Sequence, residues 1–294
     1  MTGARSDADG LWKAVGEAAD GVATALSEAS LATDYDDELL VAARAELPPK
    51  LPDACSVVIG AIARPVTQAT LVVDGVEHTF VVPPHYAGYD EIPRRFAAIV
   101  ADTLAAHGRP AAQARVPLKT LAAGSGLALY GRNNIAYVEG LGSYLQLAAC
   151  ATDLPAPPEA EWTEARALAA CEGCTTCARA CPTGAITGER FTLQTGRCLT
   201  AVNEDDAPFP AWVDPAWHTC AVGCLRCQQA CPENAGVTLR VEEPVRFDER
   251  ESAAILAGDG SALHDGDIAA RRAACGIDYD AALIARNLRL LLPR

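Results

Sequence analysis

Two cysteine runs constrain this chain more than anything else in it: Cys171-x2-Cys174-x2-Cys177-x3-Cys181-Pro182 and Cys220-x3-Cys224-x2-Cys227-x3-Cys231-Pro232. Two-residue gaps let a tight loop turn three thiols toward one centre, with its backbone N–H groups facing the same way. The proline after the fourth cysteine fixes φ and leads the chain off. This is the run in which three thiolates cap one [4Fe–4S] cube and the fourth reaches a second cube. The second run repeats the first imperfectly. With Cys198 between them, nine thiols stand for eight ligand positions. Crosswise ligation places Cys171, Cys174, Cys177 and Cys231 on one cluster. Cys181, Cys224 and Cys227 take three corners of the other, and Cys198 or Cys220 supplies the last.

The chain holds 12 cysteines. In an exported protein they would suggest disulfides, but Met1 to Asp20 shows no basic, then apolar, leader pattern and no twin arginine, so a cytoplasmic protein is expected. Structural zinc also uses C-x2-C pairs. It needs neither the third cysteine, nor the x3 step, nor the Cys-Pro ending, and here those occur twice. Cys55, Cys150 and Cys275 stand alone and read as small buried hydrophobes. The formal charge is −14, from 38 acidic and 24 basic residues. Without a Lys/Arg-rich run, such a surface opposes a phosphate backbone, so nucleic acid is not an expected partner. No stretch of 18 apolar residues suggests a membrane span.

Residues 11–46 carry apolar positions at helical spacing, ended by Pro48, Pro49 and Pro52. Cys55 to Ala63 reads as a buried strand. Residues 70–82 read as a hairpin turning at Asp74-Gly75. From Tyr89 to His107 the apolar positions Ile92, Phe96, Ile99, Val100 and Leu104 predict a helix with Gly108 past its end. The glycines of Gly124-Ser125-Gly126, Gly131-Arg132-Asn133-Asn134 and Gly140-Leu141-Gly142-Ser143 interrupt would-be strands and predict backbone lying close to a ligand or to itself. A proline-rich linker at 153–158 precedes the cysteines, and 248–292 reads as helices packing back on the body. The fold class is α+β: an N-terminal α/β domain over 1–158, a bacterial-ferredoxin-type two-cluster domain over 159–243, and a helical tail over 244–294.

With these residues in view, the chain resembles the epoxyqueuosine reductase-like proteins, whose wider relatives include the reductive dehalogenases. Gly131-Arg132-Asn133-Asn134-Ile135 followed by Gly142-Ser143-Tyr144-Leu145 is similar to that family's Gly-Lys-Asn…Gly-Ser-Trp stretch. Thr195-Gly196-Arg197-Cys198-Leu199-Thr200 is similar to its Arg-Cys-Ile-Ser segment, which favours Cys198 over Cys220 as the eighth ligand. Val222-Gly223-Cys224-Leu225-Arg226-Cys227-Gln228 resembles its Phe-Gly-Cys-x-x-Cys-Gln. The likeness covers roughly 80–240. It implies a cobalamin-binding N-terminal domain, clusters that reduce the cobalt, and electrons arriving from a small donor such as ferredoxin or flavodoxin. Three departures accompany it. Pro110 to Lys119 lacks the acidic residue that the tRNA-acting members carry there, the chain stops soon after its tail helices where those members add a helical repeat, and the charge is acidic. The resemblance is therefore to a shorter Gly-Arg-Asn-Asn branch, with the queuosine step not expected.

On that likeness Arg132, Asn133, Asn134, Tyr137 and Ser143 are the expected cobalamin contacts; taken alone, the loop is as readily a turn. A phenol can donate a proton. With the family's acid missing, Tyr86 and Tyr89 are the candidate catalytic acids, ahead of Tyr130 and Tyr137. His85 reads as a solvated loop histidine, and Glu204-Asp205-Asp206 as a solvated acidic face. The expected activity is electron transfer through two clusters to a cobalamin that reduces a small molecule. The alternative is an accessory protein without its own cobalamin, passing electrons to a partner such as a corrinoid protein.

Overall fold

The computed structural model describes residues 31–32, 56–155, 164, 166–187, 193–237, 241–263 and 266–293. In chain order the strands are β1 (Leu31–Ala32), β2 (Ser56–Ala63), β3 (Thr67–Val73), β4 (Val76–Val82), β5 (Ala111–Gln113), β6 (Leu129–Tyr130), β7 (Ala136–Tyr137), β8 (Leu145–Thr152) and β9 (Val245–Phe247). The α-helices are α1 (Glu91–Ala105), α2 (Leu118–Gly124), α3 (Thr176–Ala180), α4 (Leu199–Glu204), α5 (Arg226–Gln229), α6 (Glu249–Ala257), α7 (Gly266–Cys275) and α8 (Ala281–Leu291). They fall into two compact units that do not follow chain order. One comprises Met1–Ala63 with Asp90–Glu172, the other Arg64–Tyr89 with Gly173–Arg294.

The first unit is built on a four-stranded sheet in the order β1-β2-β8-β5. All of its pairings are antiparallel, so the α/β expectation is corrected to α+β here. Leu31 and Ala32, inside the expected N-terminal helices, are strand residues paired with Val58 and Val57. The rest of that expected helical stretch, and Cys55, lie outside the described residues. The unbroken apolar sequence of β2 has a simple cause: both faces of the strand are covered. Val58 and Ile62 join Phe96, Val100 and Leu104 of α1 on one side. Val57, Ile59 and Ala61 join Leu121, Ala122 and Val138 on the other. Helix α1 stops as the sequence predicts. Gly108 takes φ +70°. The Arg109 and Gly108 N–H groups bond the Leu104 and Ala105 carbonyls at 3.1 and 3.0 Å, closing the helix end in a Schellman motif.

The second unit carries the predicted hairpin. Asp74 and Gly75 both have positive φ, +50° and +73°, the conformation a two-residue turn requires. Strand β9 pairs with β3 in parallel, Leu71 opposite Phe247. Three residues are too few to carry a strand signal in sequence. Helices α6 to α8 bury Ile255, Leu283, Ile284 and Leu288 with Leu71, Phe80, Val82 and Phe247, so the expected tail helices form and pack on this sheet.

Helix α6 starts with a reciprocal cap: the Glu251 N–H donates to Asp248 Oδ1 at 2.8 Å and the Asp248 N–H to Glu251 Oε2 at 3.0 Å. Arg271 also donates to Glu251, and that bond above all holds the Glu251 carboxyl below its ordinary range. A depressed carboxylate stabilises the fold above its unfolded pKa and loses that contribution as pH falls through the folded one. Glu251→Ala is therefore expected to cost about 1 kcal/mol near neutrality. Urea unfolding should show the difference from the parent shrinking as the pH is lowered through the carboxylate range.

Candidate metal centre

Within the second unit, the chain between Cys181 and Cys198 folds back on itself. The Gln194 N–H bonds the Ala185 carbonyl at 2.9 Å, and Ile186 bridges Leu193. Arg197 Nε then donates to the Thr183 carbonyl at 2.8 Å, tying the Cys198 segment to the Cys181 turn. Helices α3, carrying Cys177, and α5, carrying Cys227, lie against each other. Cys181 opens a nest of donors. Burial raises its thiol, but the Thr183 hydroxyl and the backbone N–H groups of Ala185, Thr183 and Ile186 outweigh that and leave it below the ordinary thiol value.

The Cys220–Cys227 segment is stitched from several sides. Cys220 bridges Val81, and the Ala221 N–H bonds the Val81 carbonyl at 2.9 Å. Asn203 Nδ2 donates to the Gly223 carbonyl at 2.7 Å. Asn287 Nδ2, from α8, donates to the carbonyls of Asn203 and Ala221 at 3.0 and 3.1 Å. Arg286 reaches the Val202 and Asn203 carbonyls and lies over the Phe209 ring. Gly223 has φ +64°, and a Cβ there would stand 2.5 Å from the Tyr86 hydroxyl, so only glycine fits. Burial pushes the Cys224 thiol up to about 11, with the neighbouring Cys220 and Cys198 sulfurs adding to the rise against the Arg226 N–H. Burial likewise raises Cys220, against the Thr219 hydroxyl and Leu225 N–H.

Sequence reading missed these supports. Asn287 carried a signal, a polar residue on the apolar face shared by Ile284 and Leu288; Asn203 and Arg286 carried none that spacing reveals. His218 is 7% exposed, and neither ring nitrogen has a partner among the described residues. Burial, then the Arg286 and Arg226 charges, lowers its pKa from the ordinary histidine value. Among the described residues no three His, Cys, Asp or Glu side chains converge as a single ion would draw them. The fit to iron–sulfur cubes rests instead on thiol spacing and on the N–H groups turned to the sulfurs.

The proton-donor candidates part company. Tyr86 is buried, donates its hydroxyl to Glu204 Oε1, and packs beside the His85 ring at 4.2 Å. Burial, together with the Glu204 charge and hydrogen bond, raises the phenol above its ordinary value. Glu204, Asp205 and Asp206 are all exposed as expected, and Glu204 also accepts the Tyr86 hydroxyl. His85 is half-buried rather than solvated, and burial pushes it down to about 4. Tyr89 is 64% exposed.

In the first unit, Gly131–Ile135 is the loop of the β6–β7 hairpin. The Asn134 N–H bonds the Gly131 carbonyl at 2.9 Å, and Asn134 takes φ +60°. Asn133 Nδ2 donates to the Tyr137 hydroxyl at 3.0 Å, and Asn133 Oδ1 accepts from the Ile135 N–H at 3.4 Å. Asn133, Tyr137 and Ser143 are all buried. The Arg132 guanidinium donates to the Cys171 carbonyl at 2.8 Å. Of the side chains expected to contact a corrinoid, Asn133 and Tyr137 are thus bonded to each other and Arg132 to the first cysteine. Cys150 and Cys275 are fully buried, and burial pushes each thiol up to about 12, in keeping with small hydrophobes.

Residues 170–234 match the 4Fe-4S double cluster binding domain. The chain is 26% identical over 125 residues to an epoxyqueuosine reductase of Staphylococcus aureus, a match covering 42% of this chain and 31% of that protein. It is 35% identical over 120 residues to one from Synechococcus sp., covering 40% and 34%. The matched stretch thus spans about a third of these relatives' length. Among solved structures, an epoxyqueuosine reductase with a tRNA-Tyr epoxyqueuosine-modified stem loop superposes with a TM-score of 0.69 at 20% identity, covering 97% of this chain and 81% of that one. That of Streptococcus thermophilus does so with 0.63 at 18%, covering 94% and 79%. The chain carries the double-cluster domain and shares the fold of these reductases. The expectation against nucleic acid rests on net charge alone. Net charge is a sum, and a local surface decides what a phosphate meets.

Proposed function

We propose that this chain is an iron–sulfur oxidoreductase passing electrons through two [4Fe–4S] clusters to an acceptor that reduces a substrate. Cys171, Cys174, Cys177 and Cys231 hold one cluster; Cys181, Cys198, Cys224 and Cys227 hold the other. The observation that carries this is the double-cluster match over 170–234, whose thiols are met by backbone N–H groups. Those donors stabilise sulfur that gains negative charge on reduction. By resemblance the proposed acceptor is cobalamin, which supplies low-valent cobalt chemistry when bound. By the same resemblance Arg132, Asn133, Asn134, Tyr137 and Ser143 are its proposed contacts. Tyr86, whose hydroxyl faces a carboxylate able to take and return a proton, is the proposed acid ahead of Tyr89. A ferredoxin or flavodoxin is the proposed donor. The accessory reading is electron delivery to a separate corrinoid protein.

An anaerobic spectrum of full-length protein reconstituted with iron, sulfide and hydroxocobalamin, then desalted, separates these readings. About eight irons per chain with retained cob(II)alamin supports the reductase. About eight irons with the corrinoid washed away supports the accessory protein, and fewer than four irons sinks both.

A second substrate reading, a modified nucleoside in tRNA, is favoured by the fold shared with the stem-loop complex. Fluorescence anisotropy with an epoxyqueuosine-modified stem loop tests it. Saturable binding that weakens with added salt supports a nucleic-acid substrate. A flat titration returns the choice to small molecules.

A further inference from the structure

The Gly131–Ile135 loop stands beside Cys171, and its construction is directed there. Tyr130 runs parallel to the segment before the cysteine: its N–H bonds the Arg166 carbonyl and its carbonyl accepts from the Leu168 N–H, both at 2.9 Å. Gly131 has no room for a side chain, since a Cβ would lie 2.5 Å from both Asn133 Oδ1 and the Tyr137 ring. Asn134 adopts the left-handed turn, and Lys119 Nζ donates to its carbonyl at 3.1 Å. What this scaffold presents is Arg132. Its backbone N–H points at Cys171 Sγ at 3.4 Å, and its guanidinium holds the Cys171 carbonyl at 2.8 Å.

We propose that Arg132 is a positioning residue for the cluster on Cys171, raising that cluster's reduction potential by aiming an N–H and a positive charge at its ligand. The inference rests on the iron–sulfur reading above and gives Arg132 a part in cluster control. Hydrogen bonds to cluster sulfurs and nearby charge set such potentials, because reduction adds an electron to the cube and its thiolates. Removing the guanidinium withdraws the charge and loosens the grip that aims the N–H.

The test is an EPR-monitored redox titration of full-length, reconstituted protein, parent against Arg132→Ala and Arg132→Lys, with iron content and hydroxocobalamin retention measured in parallel. Arg132→Ala is expected to lower the reduced-to-oxidised ratio of one cluster about tenfold at fixed poise, about 59 mV for one electron. The other cluster should not move. Arg132→Lys, keeping the charge without the planar fork, should fall between. The shifted signal should be the one that Cys171→Ser abolishes. Full iron content with both potentials unmoved in Arg132→Ala overturns the proposal, as does lost corrinoid retention with unmoved potentials. If Arg132→Ala fails to assemble clusters, Arg132→Lys decides by the same criterion. A parent protein that forms no clusters sinks the iron–sulfur reading itself, an outcome separate from these.

Discussion

Replacing Cys198 by serine is expected to abolish the EPR signature of one [4Fe–4S] cluster and bring the iron content from about eight toward about four per chain. Replacing Cys220 should leave both clusters in place. The two thiols are rivals because each lies near Cys224. They differ in setting. Cys198 is half-buried like Cys181, Cys224 and Cys227, and Arg197 beside it is anchored to the Thr183 carbonyl of the Cys181 turn. Cys220 is 1% exposed, its backbone is stitched to β4, and its neighbours Ala221 and Val222 belong to the apolar core. Iron analysis with EPR of both variants checks this. Cluster loss in Cys220→Ser with retention in Cys198→Ser reverses the assignment.

Gly60→Val is expected to cost about 3 kcal/mol, the upper part of the usual range for overpacking a filled core. Residue 60 sits mid-strand opposite Ala148, and a Cβ there would come within 2.5 Å of the Phe96 ring. Phe96 is fully buried, so the ring has nowhere to go. Thermal unfolding should fall by roughly 6–12 °C, at ~2–4 °C per kcal/mol for units of this size. Adding Phe96→Leu should restore part of the loss, since residues in contact do not act additively. A double variant as unstable as the summed singles would show that the two side chains do not compete for that space.

Much of this was legible where local chemistry decides. The Asp74-Gly75 turn, the α1 face ending at Gly108 and the cysteine runs each follow from a few neighbouring residues. What sequence could not show was recruitment. Hairpin 67–82, next to β2 along the chain, belongs instead to the unit that holds α6 to α8, because β9 pairs with β3. Arg132 read as a ligand contact because a glycine-flanked Arg-Asn-Asn loop looks the same whether it faces a cofactor or a cysteine. The register of Tyr130 against Ala167, on the strand that leads into Arg132, is not visible in sequence.

The bonds from Asn287 to the Ala221 carbonyl and from Asn287 and Arg286 to the Asn203 carbonyl carry a consequence for biogenesis. The peptide groups that shape this cysteine loop find their partners on a helix synthesised well after the cysteines themselves, several seconds later at ~5–20 residues per second. Until α8 is made, the Asn203 and Ala221 carbonyls lack their Asn287 donor. Iron delivered before α8 is made would meet a cysteine loop that lacks these partners.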